Sequence, residues 1–210
     1  ILIWDHQKQP LLHLSGMRFQ RLRDEKPGLP TQMLWHLQWR RQDLVLGQAR
    51  RGSWLLIGQY PELVHRLEAA GQQVVMHNPG RSFAESLAQL TSPCLGLICA
   101  HGLTSRLPDG QRQAEDCALV VELLQALNDW RQRDQPRLWL LTRGAQSLGV
   151  DAAGLSQSPL LGLARTVRME QSQWRTTSLD LDPQPAREES EQLWAELING
   201  EEEEVAFRSG

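Results

Sequence analysis

Residues 136–182 carry a pattern that few folds accept: an apolar run, a turn-rich loop, a helix with one apolar stripe, and a second apolar run. Pro136 ends whatever precedes it, and residues 137–141 (ArgLeuTrpLeuLeu) then form a run too short for a core helix and apolar on both faces, as a buried strand requires. Ser158 and Pro159 form a cap and first-turn pair. After them Leu160, Leu161, Ala164 and Val167 share one face, while Arg165 and Arg168 point elsewhere. Residues 176–181 supply the second strand. Two buried strands joined through a helix read as a parallel βαβ unit, because parallel neighbours need a long crossover.

The same alternation runs from Ser53 to Arg208. Residues 54–57 form a short buried strand. Pro61 opens a helix with Leu63, Val64, Leu67 and Ala70 on one face, and Gly71 is placed to close it in a left-handed conformation. Residues 73–76 are the next strand. After the turn at Asn78-Pro79-Gly80, Ser82 and Glu85 have capping-box spacing ahead of Phe83, Leu87 and Leu90. Residues 94–100 read as a central strand, Asp109-Gly110 as loop, and residues 113–134 as the longest helix, with Cys117, Val120, Val121, Leu124 and Leu127 at core spacing. A helix bearing Leu193, Trp194, Leu197 and Ile198 stops at Asn199-Gly200, and residues 205–208 are a last strand. Six strands with intervening helices predict an α/β fold with a doubly wound parallel sheet. Ahead of it, residues 11–22 are strand-like, residues 23–30 read as a linker, and residues 32–40 alternate Met33, Trp35, Leu37 and Trp39 with neighbours as a half-buried strand. The predicted division is residues 1–30 as a tail or linker and 31–210 as the main domain.

Composition narrows the function. A net charge of -3 offers no broad electropositive field, which argues against nucleic acid. The longest apolar runs fall far short of the roughly 20 residues of a spanning helix, which argues against a membrane span. Three cysteines, Cys94, Cys99 and Cys117, fit a reducing compartment, so a cytoplasmic location is expected. The chain opens Ile-Leu-Ile-Trp, without an initiator methionine, and reads as a piece of a longer polypeptide.

The residues also bear on chemistry. A dinucleotide site needs glycines in its first strand-to-helix turn, so that backbone can approach the pyrophosphate. Here that turn is Gly58-Gln59-Tyr60-Pro61, with one glycine and a proline lacking its amide hydrogen. The turn at Gly144-Ala145-Gln146 lacks the spacing too. Carbonyl reduction by short-chain reductase chemistry pairs a phenol with a lysine. The chain has one tyrosine, Tyr60, and its lysines, Lys8 and Lys26, both precede the main domain. Cys94, Cys99, His101 and Cys117 lack the paired spacing of zinc sites. Ser158 lacks a nucleophile elbow and reads as a cap. His101 sits where a strand ends, a place at which open sheets bind ligands, though a plain loop histidine is the commoner reading. The acidic run 201–204 reads as a solvated turn. No catalytic, cofactor-binding or metal residue is therefore assigned. Of the eight tryptophans, Trp54, Trp139 and Trp194 fall in core patterns. Trp35, Trp39, Trp130 and Trp174 are candidates for a partner interface.

Residues 137–146 (RLWLLTRGAQ), 158–170 (SPLLGLARTVRME), 178–183 (SLDLDP) and 205–210 (VAFRSG), in that order, resemble the structural half of the ketoreductase region of modular type I polyketide synthases. The resemblance covers residues 32–210, and residues 1–30 weakly resemble the end of a preceding dehydratase domain. It implies a truncated Rossmann-like fold without catalytic residues, bracing a following catalytic half that binds NADPH. NADPH and phosphopantetheine are then expected elsewhere in the parent polypeptide. Its ketoreductase catalytic subdomain is the expected partner, with enoyl reductase and dehydratase domains as further neighbours. The alternatives are a self-sufficient NADPH-binding reductase and a module that docks carrier or neighbouring domains.

Overall fold

The structure, a computed structural model, describes residues 2–4, 10–13, 38–44, 47–104, 109–130, 135–148 and 155–208. The chain divides into two compact units, Ile1–Arg40 and Arg41–Gly210. In the first, β1 (Leu2–Trp4) pairs antiparallel with β2 (Pro10–His13). Of the strand expected over residues 32–40, only 38–40 are described, and they are irregular. Residues 14–37, Trp35 included, lie outside the described residues.

The second unit is an α/β sandwich. Its strands are β3 (Ser53–Ile57), β4 (Gln73–His77), β5 (Cys94–Cys99), β6 (Arg137–Arg143), β7 (Thr177–Leu181) and β8 (Glu204–Ala206). They form one parallel sheet in the order β4-β3-β5-β6-β7-β8. The side-chain period of two divides each central strand between two cores. Leu55, Ile57, Leu97, Cys99, Leu138 and Leu140 meet α2 (Phe83–Leu87), α4 (Asp109–Asp129) and α5 (Ser158–Glu170) on one face. Trp54, Leu56, Ile98, Trp139, Leu141, Leu179 and Leu181 meet α1 (Pro61–Ala69) and α6 (Glu189–Asn199) on the other. Each fully buried Leu or Ile in these layers contributes about 1.5–3 kcal/mol relative to exposure. The doubly wound truncated Rossmann-like sheet expected from the sequence is the observed one.

Local signals explain most of the boundaries. Pro61 stands in the first turn of α1, and Gly71 lies just past its end at φ 75°. Ser82 and Glu85 make both bonds of the capping box that opens α2. Three expectations need correction. The helix placed at 113–134 is α4, which begins at Asp109: the Asp-Gly pair is a turn signal locally, but one helical glycine costs only about 1 kcal/mol and the amphipathic stretch behind it carries the helix back. The cap of α5 is Gln157, not Ser158, because a 3₁₀ turn at Leu155–Gln157 runs directly into the helix. A short helix, α3 (His101–Thr104), follows β5, where loop was expected.

Candidate functional site

In an open α/β sheet, ligands sit outside the carboxyl ends of the strands where the strand order reverses. Here the order reverses between β3 and β5. Gly58, at φ 98°, follows β3, and a Cβ built on it would lie 2.6 Å from His101 N and 2.8 Å from Ala100 C. Ala100 N donates to Ile57 O at 2.8 Å. The two turns therefore meet backbone against backbone. At the start of α1, Pro61 has no amide hydrogen, Glu62 places a carboxylate in the first turn, and the amides of Leu63 and Val64 both donate to Tyr60 O at 3.1 Å. That helix end presents little to an anion.

Above these turns the carboxyl edge is crossed by side chains of the chain itself. Tyr60 Oη donates to Glu189 Oε1. Arg143 holds both oxygens of the same carboxylate at 2.7 Å and donates to Asp182 O at 2.7 Å. Arg143 N donates to Gln157 Oε1 at 2.7 Å, and Gln157 Nε2 donates to Gly102 O at 2.9 Å. This continuous network joins α1, α6, β6, the start of α5 and α3. Burial, with the Glu189 carboxylate adding to it, pushes the Tyr60 phenol well above its ordinary range, against a weaker pull from Arg143. A reductase needs the opposite, a phenol made more acidic by a neighbouring cation. The hydrogen bond to Glu189 likewise raises Arg143 and fixes it as a cation.

The next turn along the sheet, Gly144-Ala145-Gln146, holds a carboxylate from within. Asp180, wholly buried in β7, accepts Thr142 Oγ1 at 2.6 Å and Ala145 N at 2.9 Å on one oxygen, and Gln146 N at 3.0 Å and Arg208 Nη2 at 2.5 Å on the other. His101 Nδ1 lies 2.6 Å from Oδ1 of Asp116, itself 1% exposed. This pairing fixes the ring of the one histidine that the sequence singled out. Burial pushes the Cys99 thiol up to about 12 and, joined by the Asp116 charge, raises Cys117 as well. Both thiols behave as small apolar groups. Among the described residues no three His, Cys, Asp or Glu side chains are arranged to hold a metal ion.

Comparisons with known proteins fit this architecture. Residues 38–210 match the family described as the polyketide synthase extender module SpnB, Rossmann fold domain. The chain belongs to that family. It is the Rossmann subdomain of the ketoreductase region of a modular polyketide synthase. Over its whole length it is 32% identical to a phenolphthiocerol/phthiocerol polyketide synthase of Mycobacterium tuberculosis, of which it spans 10%. A second relative, a mycocerosic acid synthase-like polyketide synthase of Mycolicibacterium smegmatis, is 35% identical over 49% of this chain and 5% of its own length. Among solved structures, A-type ketoreductases from a modular polyketide synthase superpose with a TM-score of 0.62 at 25% identity, over 82% of this chain and 40% of theirs.

In this ketoreductase-region subdomain the tryptophans divide by location. Trp54, Trp139 and Trp194 are buried in the core, as the pattern predicts. Trp174, one of the interface candidates, is 7% exposed: it belongs to the α4/α5 core and its indole N–H donates to Gln171 Oε1 at 3.1 Å. The 3₁₀ turn at Ser172–Trp174 rotates it inward, which no helical or strand period reveals. Trp130 is half-buried against the same core, and Trp39 is half-buried in the first unit. Val121 of α4, expected in the core, is instead 42% exposed, because the buried stripe of the helix runs through Val120, Leu123, Leu124 and Leu127; Met169 of α5 is 86% exposed.

The acidic run is also more than a solvated turn. Arg165 holds Glu204 through both oxygens at 2.6 and 2.8 Å, and Arg168 adds a third bond at 2.8 Å. Arg137 donates to the carbonyls of Gly200 and Glu202. These bonds, with the Thr177 hydroxyl donating to Glu202 O, fix edge strand β8 in its place. Residues 201–203 remain exposed.

Proposed function

We propose that this subdomain braces an NADPH-dependent ketoreductase catalytic subdomain of the same polypeptide and does no chemistry of its own. The observation that carries the reading is that, among the described residues, the turns of the carboxyl edge are occupied by the chain's own groups. Backbone meets backbone at Gly58 and His101, the helix start behind it carries Pro61 and Glu62, and the amides of the Gly144-Ala145-Gln146 turn already hold Asp180. NADPH, which a ketoreductase needs, does not fit these residues, since among the described residues no first-turn glycine pair or free row of amides is placed to meet a pyrophosphate. The single tyrosine is tied to Glu189 and made a weaker acid, so it does not fit as a proton donor.

Bracing requires an apolar surface for the partner. Val121, Met169 and half-buried Trp130, all on or next to α4 and α5, are its nearest candidates in the second unit, and Trp39 is a separate candidate in the first. Residues 1–30 belong, in this reading, to the end of a preceding dehydratase-like domain. Phosphopantetheine-bearing carriers and any enoyl reductase lie elsewhere in a cytoplasmic megasynthase. The test is to express the catalytic half of the parent ketoreductase alone and together with this chain, and to measure soluble yield and NADPH-dependent reduction. Bracing predicts a soluble, active catalytic half only in the pair. Equal yield and equal rate without this chain would refute it. A paired catalytic half that is soluble but inactive would instead mark this subdomain as a spacer in a module that has lost reduction.

A further inference from the structure

The Asp180 side chain is surrounded as a bound ligand would be. Its carboxylate is wholly buried and receives four donors of different origin: the Thr142 hydroxyl, the successive amides of Ala145 and Gln146, and the Arg208 guanidinium, at 2.5–3.0 Å. Successive amides turned toward one point form a nest for anions. Here Gly144 supplies the left-handed residue, at φ 65°, that turns them inward, while its own N–H donates to Leu181 O at 3.0 Å and ties the turn to β7. The guanidinium is fixed independently of the carboxylate. Arg208 also donates to Gln146 O at 2.8 Å, to Phe207 O at 2.6 Å, and to Asp180 O and Leu181 O at 3.3 Å each. Arg143, one residue before Gly144, is held by Glu189 and Asp182.

We infer that the turn after β6, with Thr142 and Arg208, is a preorganised oxyanion-binding cradle, occupied permanently by the Asp180 carboxylate. The ligand class is a small planar carboxylate, the size of the group it now holds. Two features favour a true cradle over an ordinary buried ion pair. Both amides lie outside any helix or strand ladder and point at the carboxylate, so their orientation comes from the Gly144 turn. The cation keeps four carbonyl contacts of its own, so its place does not depend on the Asp180 carboxylate. The consequence for the subdomain is that the strand-to-helix turn after β6 is closed to phosphates and acyl carboxylates by a covalently attached competitor. This goes beyond the bracing role and does not depend on it.

The experiment is chemical rescue of Asp180→Ala, which deletes the carboxylate and leaves the donors. Thermal unfolding of the wild-type chain and the variant is followed in sodium formate and in sodium chloride at equal ionic strength. The cradle predicts that formate raises the variant's melting temperature relative to chloride, by about 3–5 °C at ten times its dissociation constant and thereafter in proportion to the logarithm of its concentration. The wild-type chain should respond alike to both salts. Asp180→Ala combined with Arg208→Ala should lose the formate response. Formate and chloride acting alike on a folded Asp180→Ala would overturn the inference. So would an Asp180→Ala chain that fails to fold in formate while Asp180→Asn, which retains an acceptor oxygen, folds. Neither outcome touches the pairing test above, which reads the catalytic half instead.

Discussion

Replacing Gly58 with alanine tests the contact that closes the β3–β5 crevice. The added methyl carbon would lie 2.6 Å from His101 N, 2.7 Å from His101 Cα and 2.8 Å from Ala100 C. All three are backbone atoms of the neighbouring turn, so no side-chain rotation relieves the overlap. At φ 98° an alanine is also strained, by about 1–2 kcal/mol. Overpacking adds about 1–3 kcal/mol, for a total of about 2–5 kcal/mol. Urea unfolding followed by tryptophan fluorescence should show a lower midpoint at unchanged slope, and the melting temperature should fall on the order of 10 °C. A loss below about 1 kcal/mol would rule out both the left-handed backbone at residue 58 and the contact between the two turns, because the strain alone costs that much.

Glu189→Ala leaves Arg143 and Tyr60 without their shared acceptor and should destabilise by about 2–3 kcal/mol, discounted from a fully buried pair because Arg143 is partly exposed, as read by urea unfolding. The pH dependence of stability has a definite sign at His77, whose ring stacks on Phe83 at 4.0 Å and whose pKa burial lowers, against a smaller opposing effect of Glu122. Below about pH 6.5 the unfolded chain binds the extra proton, so the stability due to neutral His77 is complete above that pH and declines as pH falls through it toward the folded value; His77→Gln should flatten the urea midpoint there. Val121→Lys and Met169→Lys should each change the stability of the chain alone by less than about 0.5 kcal/mol, yet lower the soluble yield of a co-expressed catalytic half.

The sheet was legible because its strands are apolar on both faces: Leu55-Leu56-Ile57 and Leu138 to Leu141 have no other place in a folded chain. Pro61, Gly71 and the Ser82–Glu85 box gave boundaries, since each acts through the nearest backbone alone. The carboxyl edge was legible only by what it lacks. Glu189 meets Tyr60 across 129 residues and Gln157 meets Gly102 across 55, and no local period encodes such pairings. Asp180 did leave a trace, as a carboxylate inside the buried strand Thr177–Leu181, which demands partners. Which partners those are depends on the fold of the Gly144 turn and on the path of the chain to Arg208. The direction of Trp174 escapes any periodic reading because a single 3₁₀ turn, ending in a left-handed Arg175 at φ 43°, sets it.

Titrating the chain with NADPH in a calorimeter asks whether a Rossmann sheet whose described turns are filled by its own side chains still binds a dinucleotide. A supporting subdomain should give no saturable heat up to about millimolar cofactor. One-to-one binding with a dissociation constant on the order of micromolar would contradict it.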